Sequence, residues 1–301
     1  MSAQDTIAAV ATAPGKGAVG ILRLSGPRAF AIAAQMAGAL PAARTATLRK
    51  FHDAQGRALD QGLLLCFARP QSFTGEDVVE LQGHGGPVVL DLLLRAACEL
   101  GARVARPGEF SERAFLNGRM DLAQAEAIAD LIDAGSAQAA RAAQRSLEGE
   151  FSRQVKVQVE TLTQLRVHVE GALDFSDEDV NWLAHAPLHQ GLAALEADLL
   201  ELTANASQGR RLREGVVVAL SGRPNVGKST LMNRLAGAEV SIVTEIAGTT
   251  RDLLRENLNL DGLPVTLIDT AGLRESSDLI EQEGIRRARD AIGKAEIILY
   301  L

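Results

Sequence analysis

One short stretch near the end of the chain restricts the possible folds more than any other. Residues Gly215–Thr230 read GVVVALSGRPNVGKST. In this stretch an apolar, β-branched run, Val216–Leu220, precedes the pattern G-x-x-x-x-G-K-[ST] at Gly222–Ser229. The run predicts a buried strand, and the residues after the pattern have helix-forming composition. Strand, glycine loop and helix are the context that a phosphate-binding loop requires, so the sequence predicts an α/β domain of the P-loop class.

The residue types of this loop fit a phosphate chain and a magnesium ion. Gly222 and Gly227 allow the backbone to turn its N–H groups toward one centre, and the helix N-terminus adds partial positive charge there. Lys228 is expected to reach the β- and γ-phosphates, and Ser229 to bind Mg²⁺ through its hydroxyl. The predicted nucleotide contacts of the loop are Asn225, Val226, Gly227, Lys228, Ser229 and Thr230.

Two further motifs follow in the order that a nucleotide switch requires. Thr250, in the sequence GTTRD, is expected to bind Mg²⁺ and the γ-phosphate. The apolar run Leu263–Ile268 predicts a strand that ends at Asp269 in the sequence DTAG. An aspartate at the tip of a buried strand can hold Mg²⁺ through water, and Gly272 can bring its backbone N–H to the γ-phosphate. The three motifs together predict a GTPase-type switch domain.

Leu273 stands where small GTPases of the Ras type carry the glutamine that orients the attacking water. An apolar side chain cannot do this, so another group must complete the site. The candidates are a monovalent cation, a nearby carboxylate such as Glu281 or Glu283, and a residue supplied by a partner on dimerisation. The alternative is a structural leucine in an inactive switch. No NKxD motif occurs before Leu301, so these residues do not predict a preference for guanine, and we expect the chain to be C-terminally truncated.

The rest of the chain predicts two other domains. Residues 1–118 mix strand and helix patterns, which predicts a compact α+β domain. Its strands are predicted at Thr6–Thr12, Ala18–Leu24, Thr45–Phe51, Gly62–Phe67 and Val78–Gln82, its helices at Pro27–Gly38 and Pro87–Leu100, and a polar turn at Asp53–Asp60. Residues 119–212 predict an all-α domain, and residues 213–301 the incomplete P-loop domain. The fold class is therefore multidomain, α+β and α/β.

Apolar side chains in the helical part recur at steps of three and four. The first stripe consists of Leu147, Phe151, Val155, Val159, Leu162, Leu165, Val169 and Leu173, and the second of Leu188, Leu192, Leu195, Leu199 and Leu202. If unbroken from Ser136 to Asp174, the first helix would be about 60 Å long at about 1.5 Å per residue. Both stripes predict core packing within a helical bundle. The acidic segment Phe175–Trp182 between them predicts a solvated loop with an N-cap.

Composition excludes several function classes. The net charge of −7 argues against a broad basic surface for nucleic acid. Cys66 and Cys98 match no zinc-binding spacing, which fits a reducing compartment. No apolar run reaches the roughly 18–20 residues that span a bilayer, and the N-terminus lacks a signal-peptide pattern. These features predict a soluble protein of the cytoplasm.

With these residues placed, the chain resembles the MnmE (TrmE) family of tRNA-modification GTPases over all 301 residues. The N-terminal segments that carry the likeness are TIAAVATAPGKGAVGILRLSG, GEDVVELQGHGG and RPGEFSERAFLNGRMDLAQAEAIADLI. The later ones are GRPNVGKS, TEIAGTTRD and DTAGLRESSDLIEQEG. The resemblance implies an N-terminal folate-binding domain, a helical domain and a G domain inserted into it. The family's returning helical segment and its cysteine-bearing tail are missing from this sequence.

The resemblance also implies ligands for matching positions. K⁺ would be held by Asn225, Thr244, Ile246 and Thr249, and Glu281 would orient the catalytic water, with Lys228 and Asp269 completing the catalytic set. Arg23, Glu80 and Arg119 would bind 5-formyl-tetrahydrofolate or a related tetrahydrofolate, although some members carry a lysine where this chain has Arg119. The further GTP contacts implied are Thr244, Glu245, Ile246, Ala247, Gly248, Thr249, Thr250, Asp269, Thr270, Ala271 and Gly272.

The activity implied is a K⁺-dependent, Mg²⁺-assisted GTPase. With the flavoprotein MnmG it would modify the wobble uridine of certain tRNAs at C5, using a one-carbon unit from the folate. A homodimer held by the N-terminal domains, a heterotetramer with MnmG and no membrane contact are expected. The alternative is a regulatory P-loop switch, for example in ribosome assembly, whose N-terminal half only binds a partner.

Overall fold

The computed structural model describes residues 5–174, 188–222, 226–236, 255–260, 263–269, 293 and 295–301. These residues fall into two compact units, Met1–Ala125 and Glu126–Leu301. Within the described residues, no helix combines the length and the apolar character that crossing a bilayer requires.

The first unit is built on a six-stranded sheet. Its strands are β1 (Ile7–Val10), β2 (Gly17–Ser25), β3 (Thr47–His52), β4 (Ala58–Phe67), β5 (Val78–Gly85) and β6 (Arg103–Val104). They lie in the order β3-β4-β5-β2-β1-β6, and every neighbouring pair is antiparallel except β1 with β6. The predicted α+β class of this part is confirmed.

Two helices, α1 (Ala29–Ala37) and α2 (Pro87–Glu99), pack on one face of this sheet. Because side chains alternate along a strand, Leu22 and Leu24 of β2 point into this core. Arg23 lies between them and opposite Glu80 of β5, on the other face of the sheet. The alternation therefore determines that a charged pair occupies the face away from α1 and α2.

The turn between β3 and β4 is shorter than the predicted polar turn Asp53–Asp60. One carboxylate oxygen of Asp53 accepts the backbone N–H groups of Gln55 and Arg57, and Gly56 takes a φ of +79°. An aspartate that bonds the backbone two residues on mimics a turn by itself, so β4 already begins at Ala58.

The first unit also contains a short helix that the sequence pattern did not predict. Helix α3 (Glu109–Leu116) follows Gly108, whose φ of +74° lies in the left-handed region. Helix α4 (Leu122–Ile132) comes next and runs into the second unit.

Helix α4 is followed in the second unit by α5 (Ala137–Leu147), α6 (Glu150–Asp174) and α7 (Leu188–Glu214). The helix that would be about 60 Å long if unbroken from Ser136 to Asp174 is divided into two, because Gly149 takes a φ of +81° between α5 and α6. Ser136 caps α5 by accepting the N–H of Ala139 at 3.1 Å.

Helices α6 and α7 contact each other closely at Gly191, where an added Cβ would lie 2.9 Å from a methyl carbon of Leu165. The predicted burial of the whole apolar stripe is only partly right. Within this unit, Val159 and Leu162 of α6 remain 57% and 53% exposed. The face of α6 that packs against its neighbours is narrower than the apolar stripe. This face includes Val155 and Leu165, which are half-buried.

A second, four-stranded sheet carries the P-loop motif. Its strands are β7 (Val216–Ser221), β8 (Arg255–Leu260), β9 (Leu263–Asp269) and β10 (Ile297–Tyr300), in the order β10-β7-β9-β8. Strands β10, β7 and β9 are parallel, and β8 is antiparallel to β9. Helix α8 (Lys228–Ala236) packs Met232 into a core with Val218, Leu220 and Leu267. Parallel strands with a helix after the first are the predicted α/β arrangement.

Candidate functional site

The described residues at the two ends of the phosphate loop join a strand to a helix. Strand β7 ends at Ser221, and α8 begins at Lys228, so the motif links a buried strand to a helix N-terminus. Gly222 and Gly227 take φ values of +150° and +105°. An added Cβ at Gly227 would meet nothing within 4 Å, whereas one at Gly222 would collide with the backbone of Leu301. The two glycines thus serve different needs, a left-handed turn at Gly227 and close backbone approach at Gly222.

Lys228 is the buried cation of this loop, with 5% of its surface exposed. Its Nζ donates a hydrogen bond to the carbonyl oxygen of Gly222 at 2.9 Å. The side chain therefore folds back across the loop that it terminates. This position suits a cation that must face phosphate oxygens within the loop.

The parallel register brings Asp269 to the same edge of the sheet. Leu220, the residue two before Gly222, pairs with Asp269, so β9 ends beside the start of the phosphate loop. Ligands of α/β sheets bind at the carboxyl ends of parallel strands. The backbone of Asp269 thus lies at the carboxyl end of β9, beside β7.

The remaining predicted nucleotide and metal residues are only partly described. Val226 is 45% exposed and Thr230 is exposed on the first turn of α8. The backbone of Ser229 opens α8 next to Lys228. The side chains of Ser229 and Asp269 are not described. The predicted residues outside the described part of the chain are Asn225, Thr244, Glu245, Ile246, Ala247, Gly248, Thr249, Thr250, Thr270, Ala271, Gly272, Leu273, Glu281 and Glu283.

The residues predicted to bind folate lie in the first unit, and two of them form an ion pair. Arg23 Nε and Nη2 donate to one carboxylate oxygen of Glu80, at 2.9 and 2.7 Å. The other oxygen of Glu80 accepts the amide of Gln82 at 3.0 Å. The Arg23 and Glu80 side chains are 28% and 13% exposed, so the pair is partly open to solvent.

Two phenylalanine rings flank the Arg23 guanidinium. Its central carbon lies 5.6 Å from the ring centre of Phe73 and 5.8 Å from that of Phe110. Phe73 belongs to the loop between β4 and β5, and Phe110 to α3. The distances are within the range of cation–π attraction.

The third predicted folate residue, Arg119, reaches the same loop. Gly75, with a φ of +78°, is so close that an added Cβ would lie 3.2 Å from Arg119 Cγ and from Asn117 Cβ. Asn117 donates its side-chain amide to the Thr74 carbonyl at 2.7 Å. Segment 72–76 therefore connects the surroundings of Arg23 with those of Arg119.

A network of charges holds α3 against this segment. Arg113 is 10% exposed and donates to both carboxylate oxygens of Glu76, to Asp5 and to Glu109. Arg103 binds Glu109 through two nitrogens and also reaches Asp5. The hydrogen bond from Arg103, with a backbone N–H bond from Arg106, lowers the pKa of Glu109 to about 2 in spite of its burial. Glu76 also accepts the Ser25 hydroxyl at 2.7 Å, so the network extends to the end of β2.

Phe73, Phe110 and Gln82 are site residues that sequence reasoning missed. Gln82 had a usable signal, since it stands two residues after Glu80 in a strand and must share its face. The phenylalanines had none, because their contacts with Arg23 depend on where a loop and a helix pack.

Comparisons with known proteins identify two families in the chain. The family described as GTP-binding protein TrmE N-terminus matches residues 6–119. The family described as MnmE helical domain matches residues 122–297.

Relatives named tRNA modification GTPase MnmE are similar along nearly the whole chain. The protein of Stutzerimonas stutzeri is 58% identical over 99% of the chain, which spans 66% of that relative. The protein of Methylococcus capsulatus gives the same figures. That of Thiobacillus denitrificans is 57% identical, and the chain spans 67% of it. The chain thus spans about two thirds of the length of these relatives.

Proposed function

The chain belongs to the MnmE (TrmE) family of tRNA-modification GTPases, and we propose that it hydrolyses GTP to support modification of the wobble uridine in tRNA. The observation that carries this proposal is the phosphate loop, in which a buried Lys228 lies at the N-terminus of α8 and across from Gly222. The relatives' name supplies the substrate class, which the geometry of the loop alone does not identify.

The proposed roles follow the chemistry of the residue types and, for the K⁺ ligands and Glu281, the resemblance to the family. Backbone N–H groups of 225–230 and Lys228 would hold the phosphates, and Ser229 and Thr250 would hold Mg²⁺. Asp269 would act on Mg²⁺ through water, and Glu281 would orient the attacking water. Mg²⁺ would neutralise developing charge when bound. Asn225, Thr244, Ile246 and Thr249 would hold K⁺, whose positive charge would serve where other GTPases use an arginine.

We further propose that the first unit binds 5-formyl-tetrahydrofolate or a related tetrahydrofolate. Arg23 and Arg119 suit the carboxylates of such a ligand, and Glu80 suits the N–H donors of its pterin ring. The folate would supply the one-carbon unit for C5 of the uridine. A homodimer, a heterotetramer with the flavoprotein MnmG and a cytoplasmic location complete the proposal, with domains at 1–118, 119–212 and 213–301.

The rate of phosphate release from GTP, measured in KCl and in NaCl at equal ionic strength, tests whether hydrolysis depends on K⁺. We expect the rate in NaCl to fall about tenfold or more, because a lost positive charge at the transition state costs at least that much. Equal rates in the two salts would contradict the K⁺ assignment.

Equilibrium binding of 5-formyl-tetrahydrofolate tests the first unit. The unaltered chain should bind, and Arg23→Ala should weaken binding about tenfold or more, since a charge-assisted contact is lost. A folded chain that does not bind the folate would instead favour the regulatory switch as the function.

A further inference from the structure

We propose that Phe73 and Phe110 are positioning residues for Arg23, which keep its guanidinium beside Glu80 and leave its remaining N–H donors available to a carboxylate-bearing ligand. The inference rests on the proposed folate-binding function and assigns two residues to that site. It concerns how the cation is held, since neither ring needs to contact the ligand.

The ion pair by itself does not fix the arginine. Nε and Nη2 of Arg23 both donate to the same oxygen of Glu80, and the second oxygen of Glu80 is bonded to Gln82. A guanidinium attached to one oxygen can still pivot about that atom, unlike one bound in parallel to both oxygens. Contacts on its faces are needed to remove this freedom.

The two rings supply such contacts from separate elements. Phe73 comes from the loop between β4 and β5, and Phe110 from the first turn of α3, at 5.6 and 5.8 Å from the guanidinium carbon. An aromatic face attracts a cation and also limits how its plane can tilt.

Both elements are themselves anchored, so the rings have fixed positions. The Thr74 hydroxyl lies 2.6 Å from the Ser25 hydroxyl, which holds the loop to the end of β2, two residues from Arg23. Arg113 ties α3 to Glu76 of the same loop. Because loop, helix and strand are bonded to one another, the position of Arg23 depends on all three. The sequence neighbour of Thr74 is Gly75, which contacts Arg119, so the same loop serves both predicted folate arginines.

Two readouts distinguish positioning from simple packing, and Phe67→Leu is the matched control. Phe67 lies 5.7 Å from the guanidinium of Arg44, a cation–π contact of the same kind that does not involve Arg23. The first readout is solvent exchange of the Arg23 Nε–H in the ligand-free chain, measured by nitrogen-15 NMR and assigned with Arg23→Lys. Phe73→Leu and Phe110→Leu should speed this exchange at least about threefold, in line with loss of a cation–π contact, and Phe67→Leu should not. Unchanged exchange in both test variants would overturn the proposal.

The second readout is the dissociation constant of 5-formyl-tetrahydrofolate, by calorimetry. Each of the two substitutions should weaken binding about three- to tenfold, and Phe110→Tyr, which keeps the ring, should stay within about twofold. In an Arg23→Ala background the same substitutions should have no further effect, because they act through Arg23. Additive losses in that background would mean that the rings matter only for packing, and would overturn the proposal.

Thermal unfolding of every variant without ligand controls for folding, and Phe73→Met or Phe110→Met replaces a leucine variant that does not fold. If the unaltered chain binds no folate, the folate proposal fails together with the ligand part of this inference. The exchange measurement then decides on its own whether the rings hold Arg23.

Discussion

The two candidate sites of this chain hold their cations in opposite ways. Arg23 is already paired with Glu80 and flanked by two rings, whereas the hydrogen bond that Lys228 Nζ makes within the loop goes to a backbone carbonyl, that of Gly222. Both donors are ionised, but a carboxylate attracts a cation with a full charge and a backbone carbonyl only with a dipole. A ligand of Arg23 must therefore share the guanidinium with a carboxylate.

This difference predicts where substitutions act on ligand binding and where they act on folding. Removing the cation of the phosphate loop should reduce nucleotide hydrolysis, because a donor to the transferring phosphate is lost. Removing a charge from the network around α3 should affect folding first, because several charged groups there depend on each other.

The largest effect is expected from Lys228→Ala. GTP hydrolysis should fall about 100-fold or more, since a preorganised donor to the transferring phosphate is lost. Phosphate release measures this, with Arg234→Ala as the control, because Arg234 is an exposed base in the last turn of the same helix. A hydrolysis rate of Lys228→Ala within threefold of the Arg234→Ala rate would contradict the proposed role of Lys228 at the phosphates.

For the charge network around α3, we expect that replacing Arg113 destabilises the folded chain. Arg113→Met should lower the free energy of unfolding by about 3 kcal/mol, because it leaves the carboxylate of Glu76 without its guanidinium partner. Arg95→Met is the matched control: Arg95 is 73% exposed and pairs with Asp91 on the surface of α2. Exposed pairs of this kind contribute about 0.5 kcal/mol or less. Denaturant unfolding compares the two, and similar losses would show that burial of the network is unimportant.

The pH dependence of stability tests the same charge network through Glu109. Its pKa in the folded chain is about 2, below its usual 4.5, so its stabilising effect is complete above about pH 4.5. That effect disappears as the pH falls from about 4.5 toward 2. Unfolding free energies between pH 6 and pH 3 should therefore decline more steeply for the unaltered chain than for Glu109→Gln. Asp5, whose pKa is also lowered by Arg103, contributes to both profiles, so parallel profiles would contradict the role of Glu109.

The sequence predicted these two regions unequally, for physical reasons. Strand β7, the glycine loop and α8 were predictable because phosphate binding restricts each residue type locally. The Arg23–Glu80 pair needed a strand register that joins residues 57 positions apart, and only the resemblance to a family pointed to it.

Other features depended on packing that no local pattern encodes. Phe110 meets Arg23 because α3 is held to segment 72–76 by long-range charges. The helix is interrupted at Gly149, although the apolar stripe continues across this residue. The sequence did not predict this break, because one glycine costs a helix only about 1 kcal/mol. The width of the buried face of α6 likewise depends on which helices pack against it.

The smallest effect, and the finest test of the first site, concerns Gly75. Gly75 and Gly56 take almost the same φ, +78° and +79°, so an alanine at either position should cost about 1 kcal/mol of backbone strain. They differ in their surroundings: an added Cβ at Gly56 meets nothing within 4 Å, and one at Gly75 lies 3.2 Å from Arg119 Cγ. The backbone strain alone should therefore destabilise the two variants to a similar extent, as denaturant unfolding measures. Only Gly75→Ala should also weaken folate binding, by about threefold, because the new methyl group would shift Arg119 and Asn117 by a few tenths of an ångström. Equal folate affinities for the two variants would mean that Arg119 takes no part in the site, and the contrast with the phosphate loop would then rest on Arg23 and Glu80 alone.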